Sequence, residues 1–166
     1  MNAMQAIQAC SETSSMVLKS YIGDLEDAEL FTRPGEGCNH LAWQLGHLIA
    51  SECMLLNTIK PGAAPDLPEG FAECYSKEQT TEDDPAKFHT KAEYAELFDK
   101  VRAATNDVLN GVSEEELDAP NPHPDENFRQ MFPTVGSMFV LNATHPMMHA
   151  GQFVPVRRTL SKPIVI

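Results

Sequence analysis

Two histidines, His145 and His149, stand four residues apart near the end of the chain, in a segment with helical spacing. On an α-helix, side chains at this spacing lie about 40° apart on one face, so both imidazoles can converge on a single point. A third nitrogen from another helix would complete a metal site with one open coordination position, which is typical of catalytic zinc. A lone histidine, His47, lies in an earlier apolar segment. The spacing alone leaves open a second interpretation, in which these histidines are hydrogen-bonded core residues.

Four long segments carry helical signals, and none shows the alternating pattern of a strand. Pro- and Gly-rich connections separate them at residues 61–88 and 118–133. The sequence therefore predicts an all-α four-helix bundle with long connecting loops, as one domain over residues 1–166. The predicted helices run from about Ala3 to Ile22, from an Asn39 cap to about Ile59, from a capping box of Thr90 and Glu93 to Gly111, and from about Thr134 to Leu160.

Charge and cysteine content exclude several classes of function. The net charge is −12, and residues 66–126 hold 17 acidic against 5 basic side chains. Such a balance repels phosphate backbones and anionic lipid, so we expect no nucleic-acid or membrane partner. No apolar stretch is long enough for a transmembrane helix and no leader pattern is present, which predicts a cytoplasmic protein. We interpret the four cysteines as reduced thiols, with a ligand role for Cys38 or Cys53 as the alternative.

The order and spacing of four sequence blocks resemble those of the DinB-like superfamily, which includes bacillithiol S-transferases and mycothiol-dependent maleylpyruvate isomerase. The His-x-x-x-His-x-Gly-Gln pattern of residues 145–152 is the most specific block, and Trp-Gln-Leu-Gly-His at residues 43–47 supports it. Ser-Glu-Glu-Glu-Leu at 113–117 and Arg-Arg-Thr-Leu-Ser-Lys-Pro at 157–163 complete the resemblance. It implies a four-helix bundle, often a homodimer.

The resemblance also implies a divalent metal, zinc or nickel, held by His47, His145 and His149. Such a metal would activate a water or a low-molecular-weight thiol against a small electrophilic substrate, in a thiol S-transferase or a hydrolase. The alternative is a non-catalytic metal- or ligand-binding bundle associated with stress. A third interpretation is a dimeric interaction module with purely structural histidines.

Several neighbouring residues and two departures from the family pattern bear on the activity. Met-His-Ala at residues 148–150 replaces a common His-His-Arg run, and Pro146 lies inside the ligand turn, where it cannot donate to the carbonyl of Asn142. This leaves the substrate undefined. Candidates for a surrounding proton relay are Ser51, Asn142 and Gln152. The remaining histidines are predicted to lie at the surface: His40, His89 and His123.

Overall fold

The structure is a computed structural model that describes residues 1–165. No strand occurs in this range, only an isolated bridge between Pro120 and Thr134. None of the helices formed by residues 1–165 combines the length and apolarity needed to cross a membrane. The helices are α1 (Ala3–Ile22), α2 (Leu41–Ile59), α3 (Phe71–Cys74), α4 (Lys91–Asn110), α5 (Glu114–Leu117), α6 (Glu126–Met131) and α7 (Val135–Thr159), with short 3-10 turns at Asp27–Phe31, Lys77–Gln79 and Pro85–Lys87.

The four long helices pack as a bundle, which confirms the predicted all-α class. Helix α1 lies along α7, and α2 packs against both α4 and α7. Buried apolar side chains from all four helices form the core between them. Helix α2 is buried around most of its circumference, because it also receives the connection that follows it. This position holds His47 inside the protein surface rather than on it.

Local capping signals set most of the helix boundaries. Thr90 and Glu93 form the predicted capping box of α4, and Ser113 forms another with Glu116 at α5. The predicted Asn39 cap is wrong, because the Nδ1 atom of His40 accepts the hydrogen bond from the backbone N–H of Trp43 at 3.0 Å. A neutral imidazole with an unprotonated Nδ1 can cap a helix as a carboxylate or hydroxyl oxygen does.

The connection between α2 and α4 folds back onto α2 through Tyr75. A Cβ atom on Gly46 would lie 2.2 Å from the Tyr75 ring, so only glycine allows this approach. The Tyr75 hydroxyl lies 2.8 Å from Nδ1 of His89 and 2.7 Å from the Tyr94 hydroxyl of α4. Burial raises the pKa of Tyr75 to about 12, which keeps this hydroxyl protonated. The connection is therefore anchored beside His47 rather than loose.

Three local expectations are corrected by the packing. The predicted loop of residues 118–133 contains the short helix α6. Met148 and Gln152, which helical spacing places on the same face as the buried His149, are exposed, because α7 packs against α1 as well as α2. Cys10, which the same spacing places on the face of α1 that carries the buried Ile7, is also exposed. All four cysteines are free thiols, and none belongs to the cluster of histidines described below.

Candidate metal centre

Three histidines from two helices meet between α2 and α7. The side-chain nitrogens of His47, His145 and His149 that could bind a metal all lie within 4.8 Å of one another. The Nε2 atoms of His145 and His149 are 3.1 Å apart, and the ring centroid of His47 lies 5.3 Å and 5.5 Å from those of His145 and His149. The structure thus brings together the three residues that the sequence comparison with the DinB-like pattern selects.

Gln44 fixes the orientation of His149. Nδ1 of His149 donates to Oε1 of Gln44 at 2.8 Å, and Nε2 of Gln44 donates to the Asn39 carbonyl at 2.8 Å. The second bond sets which end of the amide faces the imidazole. With its proton on Nδ1, His149 directs the lone pair of Nε2 toward His145. Metal-binding histidines commonly have such a partner on the other ring nitrogen. The sequence interpretation did not identify Gln44 in this role.

The His47 ring is held by stacking on Trp43 and by a hydrogen bond with the backbone of Tyr75. Its centroid lies 4.8 Å from that of Trp43, with the planes inclined by 8°. Nε1 of Trp43 donates to the carbonyl of Ser76 at 3.3 Å, so the anchored connection also fixes the indole. The hydroxyl of Ser51 is 3.5 Å from Nε2 of His47, a long contact. Of the candidate neighbours, Ser51 therefore lies beside the cluster.

The surroundings favour neutral imidazoles, the form that binds metals. Burial, followed by the mutual repulsion of protonated rings, lowers the pKa of His145 to about 4 and that of His149 to about 3. Burial and then the charge of Lys77 also lower the pKa of His47. At neutral pH all three side chains therefore offer a lone pair without first losing a proton.

Asn142 and Gln152, the other two candidates for the proton relay, lack the polar contact with the histidine cluster that Ser51 makes within residues 1–165. Asn142 is buried, and its Nδ2 atom has no hydrogen-bond partner. Its backbone carbonyl accepts a hydrogen bond from Nη2 of Arg102 at 2.7 Å. Gln152 is exposed, three residues beyond His149. Neither Asn142 nor Gln152 is a strong general base, and neither has a hydrogen bond to the histidine cluster among the contacts of residues 1–165.

The three remaining histidines are not the surface residues predicted from the sequence. His40 is fully buried, with Nε2 donating to the Glu82 carbonyl at 3.0 Å, and this burial lowers its pKa. His89 is half-buried against Tyr75, and His123 is half-buried with its ring over Phe128. Side chains or carbonyls of the connecting segments cover all three, at 42 positions' separation for His40 but only five for His123.

The arrangement of the cluster fits a divalent metal ion. Two nitrogens bound to a tetrahedral zinc at about 2.0–2.1 Å lie about 3.3 Å apart, close to the 3.1 Å between Nε2 of His145 and of His149. Imidazole nitrogens suit zinc and nickel among the common divalent ions. Within residues 1–165, no other group of histidine, cysteine or carboxylate side chains is arranged in this way.

The helical bundle and the buried cluster define a four-helix protein with a candidate three-histidine metal centre. The sequence matches the family model of the DinB superfamily over residues 12–153, and the chain belongs to this superfamily. Its fold is similar to the crystal structure of the conserved protein of locus from Enterococcus faecalis. That match has a TM-score of 0.73 at 18% identity and covers 98% of this chain and 99% of the other. No curated protein matches the chain.

Proposed function

We propose that the chain binds one divalent metal ion, zinc or nickel, through His47, His145 and His149. The observation that carries this proposal is the convergence of three imidazoles whose environment keeps them neutral, one of them with its tautomer set by Gln44. Three neutral ligands leave the full charge of the ion in place and one coordination position open. Both properties favour a catalytic role over a purely structural one.

A metal with this ligation supplies activation, by lowering the pKa of a bound water to roughly 7 or by deprotonating a bound thiol. Among the described residues, no side chain beside the cluster is a free base. The surrounding side chains would therefore bind and orient the substrate rather than remove a proton from it. The carboxylate nearest in sequence to His47, that of Glu52, accepts from Thr105 at 2.7 Å and faces Arg102. We therefore propose a hydrolase or a thiol S-transferase that uses water or a low-molecular-weight thiol against a small electrophilic substrate.

Metal analysis of tag-free protein tests the binding step. We expect about one equivalent of zinc or nickel per chain, and its loss in His47→Ala. His123→Ala is the matched control, because His123 lies outside the cluster and should leave the metal content unchanged. His89 is unsuitable as a control, since its ring contacts Tyr75. A protein that binds neither ion would refute the proposed function.

Turnover of a panel of electrophiles, with and without added thiols, tests the catalytic step. Thiol-dependent turnover lost in His145→Ala would support the S-transferase, and thiol-independent hydrolysis with the same loss would support the hydrolase. Metal binding without turnover would favour the alternative, a non-catalytic, stress-associated metal-binding bundle. Three neutral ligands with one coordination position left open support the enzyme more than a storage role.

We also propose that the protein is a cytoplasmic homodimer formed through the outer face of α1 and α7. A groove of about 550 Å³ between these helices includes Cys10 and Met147 and has no charged side chain in its lining. Met148, also in this lining, is 60% exposed. In a chain of net charge −12, an uncharged apolar face is the surface on which two copies repel each other least. Light scattering should give a dimer for the parent and a monomer for Met148→Glu.

A further inference from the structure

Helix α7 continues without interruption through Pro146, although proline lacks the N–H that would donate to the carbonyl of Asn142. That carbonyl is not left unpaired. Nη2 of Arg102, from α4, donates to it at 2.7 Å. A helical residue with an N–H would donate to one of the two lone pairs of this oxygen and so compete with the guanidinium, and Pro146 removes that competing donor.

Arg102 is held in place by contacts to three other elements. Its Nη1 donates to the hydroxyl of Ser11 in α1 at 2.9 Å, and its guanidinium carbon lies 5.0 Å from the centroid of the Phe98 ring. Its Nε is 3.1 Å from Oε2 of Glu52 in α2, as an ion pair without hydrogen-bond alignment. The other oxygen of Glu52 accepts from Thr105. One buried cation therefore joins all four long helices.

This network lies one helical turn from the histidine cluster. Asn142, whose carbonyl Arg102 holds, is three residues before His145 on α7, and Glu52 follows Ser51, the neighbour of His47. A hydrogen bond to the carbonyl of Asn142 fixes the rotation and height of the α7 turn that carries His145. The position of His145 relative to α2 therefore depends on a buried contact to α4.

We propose that Arg102 and Pro146 act together as positioning residues for His145. Pro146 removes the competing backbone donor, and Arg102 clamps the carbonyl that this releases. This inference rests on the proposed metal site, because it assigns the clamp a role in ligand geometry rather than in stability alone. Residues that orient ligands in this indirect way commonly change metal affinity by about 10- to 100-fold when they are replaced.

Pro146→Ala separates the positioning role from stability. Alanine restores an N–H that competes for the Asn142 carbonyl and removes a residue that is costly within helices. We expect the metal-free variant to unfold at the parent's temperature or above it, yet to bind Co²⁺ at least about tenfold more weakly. The visible absorption of bound Co²⁺ should also change. Pro155→Ala in the same helix is the matched control, since the carbonyl it affects belongs to exposed Gly151, and its Co²⁺ affinity and spectrum should equal the parent's.

Arg102→Lys supplies the second test, with Arg157→Lys as its control. Arg157 is also a buried arginine in an ion pair, with Asp24, and it donates to the carbonyl of Tyr21. Both variants should lose thermal stability, but only Arg102→Lys should lose about tenfold or more in Co²⁺ affinity. If Arg102→Lys does not fold, the Co²⁺ affinity and spectrum of Pro146→Ala test the positioning role without it.

Two results would overturn the inference in distinguishable ways. Parent affinity and an unchanged Co²⁺ spectrum in Pro146→Ala would show that the clamp does not position His145, while the metal site itself would stand. A parent protein that binds neither Co²⁺ nor Zn²⁺ would remove the proposed function and, with it, the role of the clamp.

Discussion

Replacement of Gln44 by leucine should weaken both metal binding and the metal-free fold, by amounts that can be measured separately. Gln44 is 1% exposed, and its carbonyl oxygen is the acceptor for Nδ1–H of His149. Leucine has a similar volume, so the packing of α2 is largely preserved. The loss leaves a buried N–H of His149 without its partner, which costs about 1–3 kcal/mol. It also frees His149 to adopt the other tautomer, with its proton on Nε2.

The effect on metal binding follows from the loss of the orienting bond. Replacing such a partner typically costs 10- to 100-fold in affinity, or about 1.4–2.7 kcal/mol. A metal present at a thousandfold excess over the parent's Kd adds about 4 kcal/mol to the folded state. The variant should therefore retain only about 1.4–2.7 kcal/mol of that stabilisation. For a chain of this size, the metal-induced rise in Tm should be smaller by roughly 3–10 °C.

Thermal unfolding with and without added Zn²⁺ measures both the stability of the metal-free variant and the rise in Tm that the metal produces. Gln152→Leu is the matched control, because Gln152 is exposed and has no contact with the cluster in the described part of the chain. It should leave the metal-free Tm and the metal-induced shift unchanged. An undiminished shift in Gln44→Leu, or a reduced one in Gln152→Leu, would refute the assignment of Gln44 as the orienting residue.

Three further predictions address other parts of the structure. The metal-free protein should lose about 4 kcal/mol of stability between pH 7 and pH 5, about 2 kcal/mol from each of two histidines, because His145 and His149, with pKa values lowered to about 4 and 3, take up protons mainly in the unfolded state. The stability is present above pH 6.5 and is lost as pH falls, and equilibrium denaturation of a His145→Gln variant should show a shallower loss. Gly46→Ala should cost about 1–3 kcal/mol in denaturant unfolding, because its Cβ would overlap Tyr75, whereas Gly151→Ala, with open space around it, should not destabilise. Glu52→Ala should cost about 3–5 kcal/mol by leaving Arg102 buried without its counter-ion, and the pair Glu52→Leu with Arg102→Met should cost much less in the same assay; a larger loss in the pair would contradict this account.

The long helices could be predicted because their signals are local. The capping box of Thr90 and Glu93 lies within one turn of α4, and Thr134 caps the first turn of α7. The three-histidine cluster could be predicted only by combining the spacing of two histidines with the family resemblance. Helical spacing identifies partners on one helix, but His47 belongs to another, and its approach to His145 depends on the packing of α2 against α7.

Several side chains whose burial or partners were predicted wrongly depend on long-range contacts rather than on local signals. His40 was expected at the surface because it starts a helix, yet the Glu82 carbonyl, 42 positions away in sequence, covers and binds it. Gln44 and His149 are separated by 105 positions. Contacts over such distances depend on how the connections fold over the bundle, and neither caps nor periodicity encodes that. The exposure of Met148 has the same origin, since the angular position of α7 is set by α1 as well as α2.

Buried polar side chains on otherwise apolar helix faces carry more information about this protein than its surface charges do. A buried polar group costs free energy unless a partner satisfies it, so each one implies a second residue. Gln44 implies His149, Glu52 implies Arg102, and Arg102 uses the carbonyl that Pro146 releases. Gln44 and His149 join α2 to α7, while Arg102 joins α4 to both of these helices. A bundle stabilised only by packing would gain from apolar residues at all these positions, and their polar character agrees with the proposed orientation of the histidine cluster.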